Sequence, residues 1–306
     1  MSGPPCGVLP VCKPPGPSSH QIVGAVRRMA GRGVRVGHAG TLDPAAAGVL
    51  PVCVGPATRL ADYLHLPLKE YRFELVLGAE TDTQDAQGQV VAEADARGLH
   101  EGEVAAALAG LVGTVRQVPP LHSARHQDGR RLYEYAREGR PVEPRAAWVR
   151  IEALQLLQWM PGPRARALCA VVCGSGTYVR SLCADLGRAL GTGGHLGALV
   201  RCSAGGLRAE QCWTLEEIGG VAQDGGLAGL LLSPADALAF LPALVVDAAE
   251  AAGVAHGRPP GRRRAAGCGA TPVRVLDERG ALLAVARRSV EGETATFALE
   301  RVLAAD

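Results

Sequence analysis

The chain has 306 residues, 47% of them apolar and 20% charged, with a formal net charge of +2, values that exclude a disordered or fibrous protein and allow one large domain with a small appendage. So small a charge argues neither for nor against nucleic acid, because a basic face can be local and offset elsewhere. No apolar run reaches the roughly 18 residues of a membrane span, and the N-terminus MSGPPCGVLPVC lacks a basic stretch followed by a long apolar one. A membrane location and a signal peptide are therefore not expected, and the expected compartment is the cytoplasm.

In chain order, PSSHQIVGAVRRMAG places Ser18 or Ser19 as a helix cap ahead of Ile22, Val23, Val26 and Met29, which share one helical face. Arg27, Arg28, Arg32 and Arg35 form a local basic patch. GHAGTLDPAAAGVLPVCVG then reads as a structured loop feeding a short helix and a buried strand. From Glu70 to Gly78 the residues alternate, with Tyr71, Phe73, Leu75 and Leu77 on one face of a strand. The turn TDTQDAQG leads to a second strand around Gln89 to Glu93, and Val104, Leu108 and Leu111 mark a helix ended by Gly113.

RRLYEYAREG is a short helix closed by Gly139, followed by strands near Trp148 to Trp159 and Arg164 to Cys173. In GSGTYVRSLCADLGRALG, Val179, Leu182, Cys183, Leu186 and Leu190 fall at helical spacing before a C-terminal Gly191. Near Phe240 the composition changes. The basic loop RPPGRRR, carrying Arg262 to Arg264, precedes strand-like runs at Pro272 to Leu276 and Ala281 to Arg287. The expected division is residues 1–240 and a small β-rich unit, residues 241–306.

Nine cysteines show no C-x-x-C pair and no zinc-ligand spacing, and read as reduced, mostly buried thiols. Lys13 and Lys69 are the only lysines, which reads as coding bias more than as phosphate binding. Metalloprotease, nucleophile-elbow, Walker and dinucleotide motifs are absent, and GSGTY and GCGATP are weak glycine stretches. Neither metal nor cofactor is expected. Asp43 before Pro44 is, on context alone, most simply a cap or an Asx-turn, and Tyr71, Tyr178 and His38 most simply structural. Arg180, near a helix N-terminus that favours acids, invites a specific anionic partner.

Together, KPPGPSSHQIV, GHAGTLDPAAAGVLPVCVGPATRL, KEYRFELVLGAETDTQDAQG, VPPLHSARHQDGRRLYEYAREG and GSGTYVRSLCADLGRALGTGGHLGALVR resemble, in order and spacing, the bacterial tRNA pseudouridine-55 synthases of the TruB type. The resemblance spans most of residues 7 to 203. It implies an α+β fold with a mixed, mainly antiparallel central sheet, and the tail resembles the small PUA-type RNA-binding domain of these enzymes. It implies a cofactor-free isomerase that flips a T-loop uridine out of its stack and converts it to pseudouridine.

By the same resemblance Asp43 is the catalytic aspartate, Tyr71 packs against the target base, and Arg180 pairs with the catalytic carboxylate. His38, Tyr178 and Leu199 touch the flipped nucleotides or wedge the loop. Ala39 and Thr41 stand in exchanged order relative to the usual motif. His122 and His126 replace a usual tyrosine and lysine, so no RNA contact is assigned to them, and Val200 interrupts a usual Leu-Arg-Arg run. The expected partner is the tRNA T-stem-loop, with no obligate protein partner and a monomer as the default. The alternatives are the catalytic subunit of a guide-RNA-dependent complex and a non-catalytic tRNA-binding or folding protein.

Overall fold

The computed structural model describes residues 5–264 and 271–303. In order, the elements are β1 (Gly7–Lys13), α1 (Ser19–Ala30), β2 (Val36–His38), β3 (Ala47–Val54), β4 (Lys69–Leu77), β5 (Ala79–Thr81), β6 (Val90–Glu93), α2 (Glu101–Ala109) and β7 (Gly113–Gln117). The short pair β8 (His126–Gln127) and β9 (Arg130–Arg131) leads to α3 (Leu132–Arg137), β10 (Ala147–Met160), β11 (Arg166–Cys173), α4 (Val179–Ala189), β12 (Gly194–Ala204) and β13 (Leu207–Arg208). Then come α5 (Leu215–Gln223), α6 (Pro234–Ala237), β14 (Ala243–Val245), α7 (Ala248–Ala255), β15 (Arg263–Arg264), β16 (Thr271–Leu276), β17 (Leu282–Glu291) and β18 (Thr294–Val302).

The central sheet runs β1-β3-β12-β4-β11-β10-β7, with β2 added on β3 and β13 on β12. Its backbone order is antiparallel except where β12 lies parallel to β3, so the sheet is mixed and mainly antiparallel. Strand β4 shows why it sits near the middle. Its two-residue period buries Tyr71, Phe73, Leu75 and Leu77 on one face, each side chain contributing about 1.5–3 kcal/mol when fully buried. Against that face pack Val179, Leu182, Cys183 and Leu186 of α4. The helix lies close because Gly187 has no side chain: a Cβ there would sit 2.1 Å from the backbone nitrogen of Gly194.

Helix α1 begins with a reciprocal cap, Ser18 Oγ accepting from Gln21 N–H while the Gln21 side chain accepts from Ser18 N–H. It buries Ile22, Val23 and Val26 against β1 and β3. The C-terminal strands form a separate sheet, β14-β16-β17-β18-β15, with its own small core of Val246, Val254, Val273, Val275, Ala284 and Ala286. That module meets the rest through Val285 and Leu303, which share a cluster with Tyr63 and Leu64. Tyr63 Oη also donates to Glu300, at 2.9 Å.

Two local expectations change. The Asp43 loop makes a single turn and enters β3 directly, because Lys13 and Arg201 take up carbonyls that a helix would need for itself. Helix α2 ends at Gly110, and Gly113 opens β7, whose pairing with β10 outweighs further helix. The exposed β6 pairs with β5 in a two-stranded sheet of its own. Strand β12, absent from the sequence reading, lies between β3 and β4. Among the described residues the cysteines form no disulfide, and burial pushes the Cys53 and Cys169 thiols up to about 12. Cys268 and most of GCGATP lie outside the described residues. No helix among the described residues is long and apolar enough to cross a membrane.

Candidate active site

Between β2 and β3, residues 39–46 form a loop whose carbonyls are held by buried side chains. Arg201 is 1% exposed and donates to the carbonyls of Gly40 (3.1 Å), Thr41 (3.2 Å) and, from Nε, Val49 (2.7 Å). Ser19 Oγ donates to Leu42 O at 2.8 Å and accepts from Leu42 N–H at 2.9 Å. Lys13, fully buried, donates to the carbonyls of Pro14, Pro44 and Ala46. Five of the loop's carbonyls, at residues 40, 41, 42, 44 and 46, are thereby fixed. Such a clamp holds one backbone course, and with it the direction of the Asp43 side chain.

Asp43 faces Arg180. Arg180 Nε lies 3.0 Å from Asp43 Oδ2, with the arginine side chain 5% exposed and the carboxylate 40% exposed. The remaining guanidinium nitrogens meet Asp85 Oδ2 at 3.7 Å, Thr83 O at 3.5 Å and His122 O at 3.0 Å. Asp85 is itself oriented: its Oδ1 accepts from Thr83 Oγ at 2.7 Å and from Gln87 N–H at 3.0 Å, leaving Oδ2 toward Arg180. Held from the far side by a second acid and two carbonyls, the guanidinium presents Nε to Asp43 at a fixed angle, which a lysine would not do.

Both groups line a cleft of about 250 Å³ with Tyr71, Tyr178, Leu199, Lys69 and Arg201 on its walls. Tyr71 lies across the β4–β12 pair from Arg201 and is 8% exposed, and burial pushes its phenol pKa up, Arg201 opposing. Tyr178 caps α4 without a side-chain hydrogen bond and is tied through its backbone to Gln117, N–H to Oε1 at 2.8 Å and carbonyl to Nε2 at 3.0 Å. Leu199 sits at an irregularity of β12 and packs on the main core from the cleft side. His38 stands on β2, opposite Val52, and is not among the cleft-lining residues. Its Nδ1 is buried without a partner among the described residues, and burial, then Arg201, lowers its pKa. The structure thus brings together Asp43, Tyr71, Arg180, Tyr178 and Leu199, with His38 beside the wall.

Wall or support residues given no role from sequence include Lys13, His65, Lys69, Asp85 and Arg201. For Asp85 and Arg201 no local signal exists, since their partners lie far along the chain. The two lysines did carry a signal. In a chain that otherwise uses arginine, both are buried. Among the described residues, no group of three or more His, Cys, Asp or Glu is placed to hold a metal ion.

A chain solved in a structure of an H/ACA RNP bound to a substrate RNA containing 2′-deoxyuridine superposes on this one with a TM-score of 0.75. It covers 97% of this chain and 84% of its own, at 23% identity. A chain from an archaeal box H/ACA sRNP complex gives 0.70 at the same identity, covering 97% of this chain and 86% of its own. The architecture is the pseudouridine-synthase fold. Residues 27–179 match the TruB family pseudouridylate synthase N-terminal domain, and residues 180–238 match the tRNA pseudouridylate synthase B C-terminal domain. The chain belongs to the TruB family. Among its relatives, the tRNA pseudouridine synthase B of Symbiobacterium thermophilum is 51% identical over 84% of both chains. That of Moorella thermoacetica is 50% identical over 78% of both.

Proposed function

We propose that this chain isomerises the uridine at position 55, in the T-loop of tRNA, to pseudouridine, with Asp43 as the catalytic residue. The observation that carries the reading is the Asp43 carboxylate held 3.0 Å from Arg180 on a clamped loop, in a cleft that Tyr71 also lines. The reaction breaks the bond from N1 to C1′, turns the base and joins C5 to C1′. A proton leaves C5 and one is gained at N1, so the product is an isomer and no oxidant, reductant or energy source is consumed.

Each step asks something that these residues supply. The target base must leave its stack, at a cost of a few kcal/mol, and the Tyr71 ring offers a flat surface against which it regains about 1–3 kcal/mol. A carboxylate at a fixed position then meets the reacting nucleotide without first reorganising, and Arg180 holds that position. His38, Tyr178 and Leu199 are assigned to the flanking nucleotides and the gap left in the RNA. Residues 241–306 are assigned as a PUA-like RNA-binding domain, beside a catalytic domain of residues 1–240. Relatives at 50–51% identity named for tRNA support a tRNA substrate over a guide-directed one, and a cytoplasmic monomer without an obligate partner fits that reading.

The test maps pseudouridine in unmodified T-stem-loop RNA incubated with the wild type or Asp43→Asn, without cofactor or guide RNA. Wild type should modify one uridine, and Asp43→Asn should lose at least about 10⁴-fold in rate while binding the RNA. Binding without modification by the wild type would remove the stand-alone enzyme and favour a guide-dependent or non-catalytic role.

A further inference from the structure

The cleft holds a second buried cation that the isomerisation, as derived above, does not use. Lys69 opens β4 two residues before Tyr71, so the two share a face, about 7 Å apart along the strand. It is 7% exposed, and no carboxylate among the described residues pairs with it. Its Nζ donates to Ser175 Oγ at 2.8 Å and, at a long 3.4 Å, to His65 O, to which Ser175 Oγ also donates at 2.6 Å. Burial and the nearby Arg201 both push the ammonium toward its neutral form. Holding a charge there without a counter-ion is costly, and a neutral side chain of similar length would be cheaper unless a ligand brings the missing charge.

The neighbouring turn is built to accept the same kind of ligand. In GSGTY, set aside above as a weak glycine stretch, the N–H groups of Ser175, Gly176 and Thr177 meet no acceptor among the described residues. Gly176 takes φ +86, and the turn leads into α4, whose first turn carries no acid. Lys69, Ser175, Gly176 and Thr177 all line the cleft that holds Asp43 and Tyr71, and Arg201, which pairs with no carboxylate among the described residues, adds a further cation.

We propose that Lys69, with the Ser175 hydroxyl and the open N–H groups of residues 175–177, binds a backbone phosphate flanking the target uridine. This assignment rests on reading the cleft as the target-nucleotide site. The chemistry is that of a phosphodiester, which accepts charge-assisted hydrogen bonds from an ammonium and from amides at once. The site acts on the substrate backbone, so it serves any base that stacks on Tyr71 and leaves the choice of base to other residues.

The test uses T-stem-loop RNA in which each phosphodiester flanking the target uridine is replaced in turn by a neutral methylphosphonate, read by single-turnover modification. One replacement should slow the wild type about 10–100-fold, the worth of a hydrogen bond to a charged group. Lys69→Met should slow the native RNA by a similar factor, the two changes together should cost little more than either, and the melting temperature of Lys69→Met should stay at or above that of the wild type. If the methylphosphonate slows Lys69→Met as much as it slows the wild type, or if neither replacement affects the wild type, the assignment is overturned while the enzyme reading stands. If the wild type leaves native RNA unmodified, the enzyme reading falls and this one with it. Should Lys69→Met fail to fold, Ser175→Ala takes its place: loss of sensitivity to the methylphosphonate supports the site, and an undiminished sensitivity overturns it.

Discussion

The cleft and the C-terminal sheet use the same basic side chains in opposite ways. In the cleft and under its Asp43 loop, Lys13, Lys69, Arg180 and Arg201 are all less than a tenth exposed, and they spend their donors on backbone carbonyls, one hydroxyl and two aspartates. In the C-terminal module, Arg263, Arg264, Arg287 and Arg301 meet Glu250, Glu293, Glu300 and Asp62 at the surface. Water decides the difference. A surface pair exchanges hydration for a weak, screened attraction, whereas a buried donor and its acceptor have no water to turn to, so losing the bond costs the desolvation of both groups. The cleft therefore gains a fixed geometry from its charges, and the module gains little from its own.

Substitutions can break this contrast. The largest effect after loss of Asp43 is expected at Arg180: Arg180→Met should lower kcat about 10²–10³-fold in single-turnover assays, with Asp85→Asn lowering it less. An Arg180→Met enzyme within a factor of a few of wild type would show that the Asp43 carboxylate needs no partner. Next, Arg201→Met should destabilise the protein by about 3 kcal/mol in urea titration, since it strands the carbonyls of Gly40, Thr41 and Val49. Gly48→Ala belongs beside it, because φ is +108 and a Cβ would lie 2.2 Å from Arg201 O.

His38 sharpens the comparison through pH. Its folded-state pKa lies below its ordinary 6.5, so the folded form favours the neutral ring. The stability it contributes is full above pH 6.5 and is lost as pH falls through the lowered value. His38→Asn should flatten the stability profile in that window, and an unchanged profile would place the titration elsewhere, with His65, shifted the same way, the first alternative. The smallest effect is expected in the C-terminal module. Despite its 2.6 Å contact with Glu300, Arg287→Ala should change stability by less than about 1 kcal/mol, less still in high salt. A loss comparable with that of Arg201→Met would erase the distinction drawn here.

Much of this was legible in the chain itself. The alternation around Tyr71 named both the strand and its buried face, the spacing from Val179 to Leu190 named α4, and the Ser18–Gln21 cap named the start of α1. Each depends on residues within a few positions of one another. The resemblance supplied Asp43 and Arg180 as a pair, which their separation in sequence would never have suggested. Strand β12 stayed hidden because Gly194 and Gly197 and its two register shifts break the two-residue period, leaving no alternation to read. Hidden with it was Arg201, whose role follows from the pairing of β12 with β3.

By itself the sequence determined most of the local elements, the family and five of the residues that meet in the cleft, because periodicity, capping and motif order are properties of neighbours along the chain. Only the tertiary structure decided what holds them. The clamp of Lys13, Ser19 and Arg201 on the Asp43 loop, the Asp85 support behind Arg180 and the hydrogen bond of the Lys69 ammonium to Ser175 are contacts between distant segments. Whether a charge there is an ornament or a constraint depends on burial, which is fixed when the sheet closes over it.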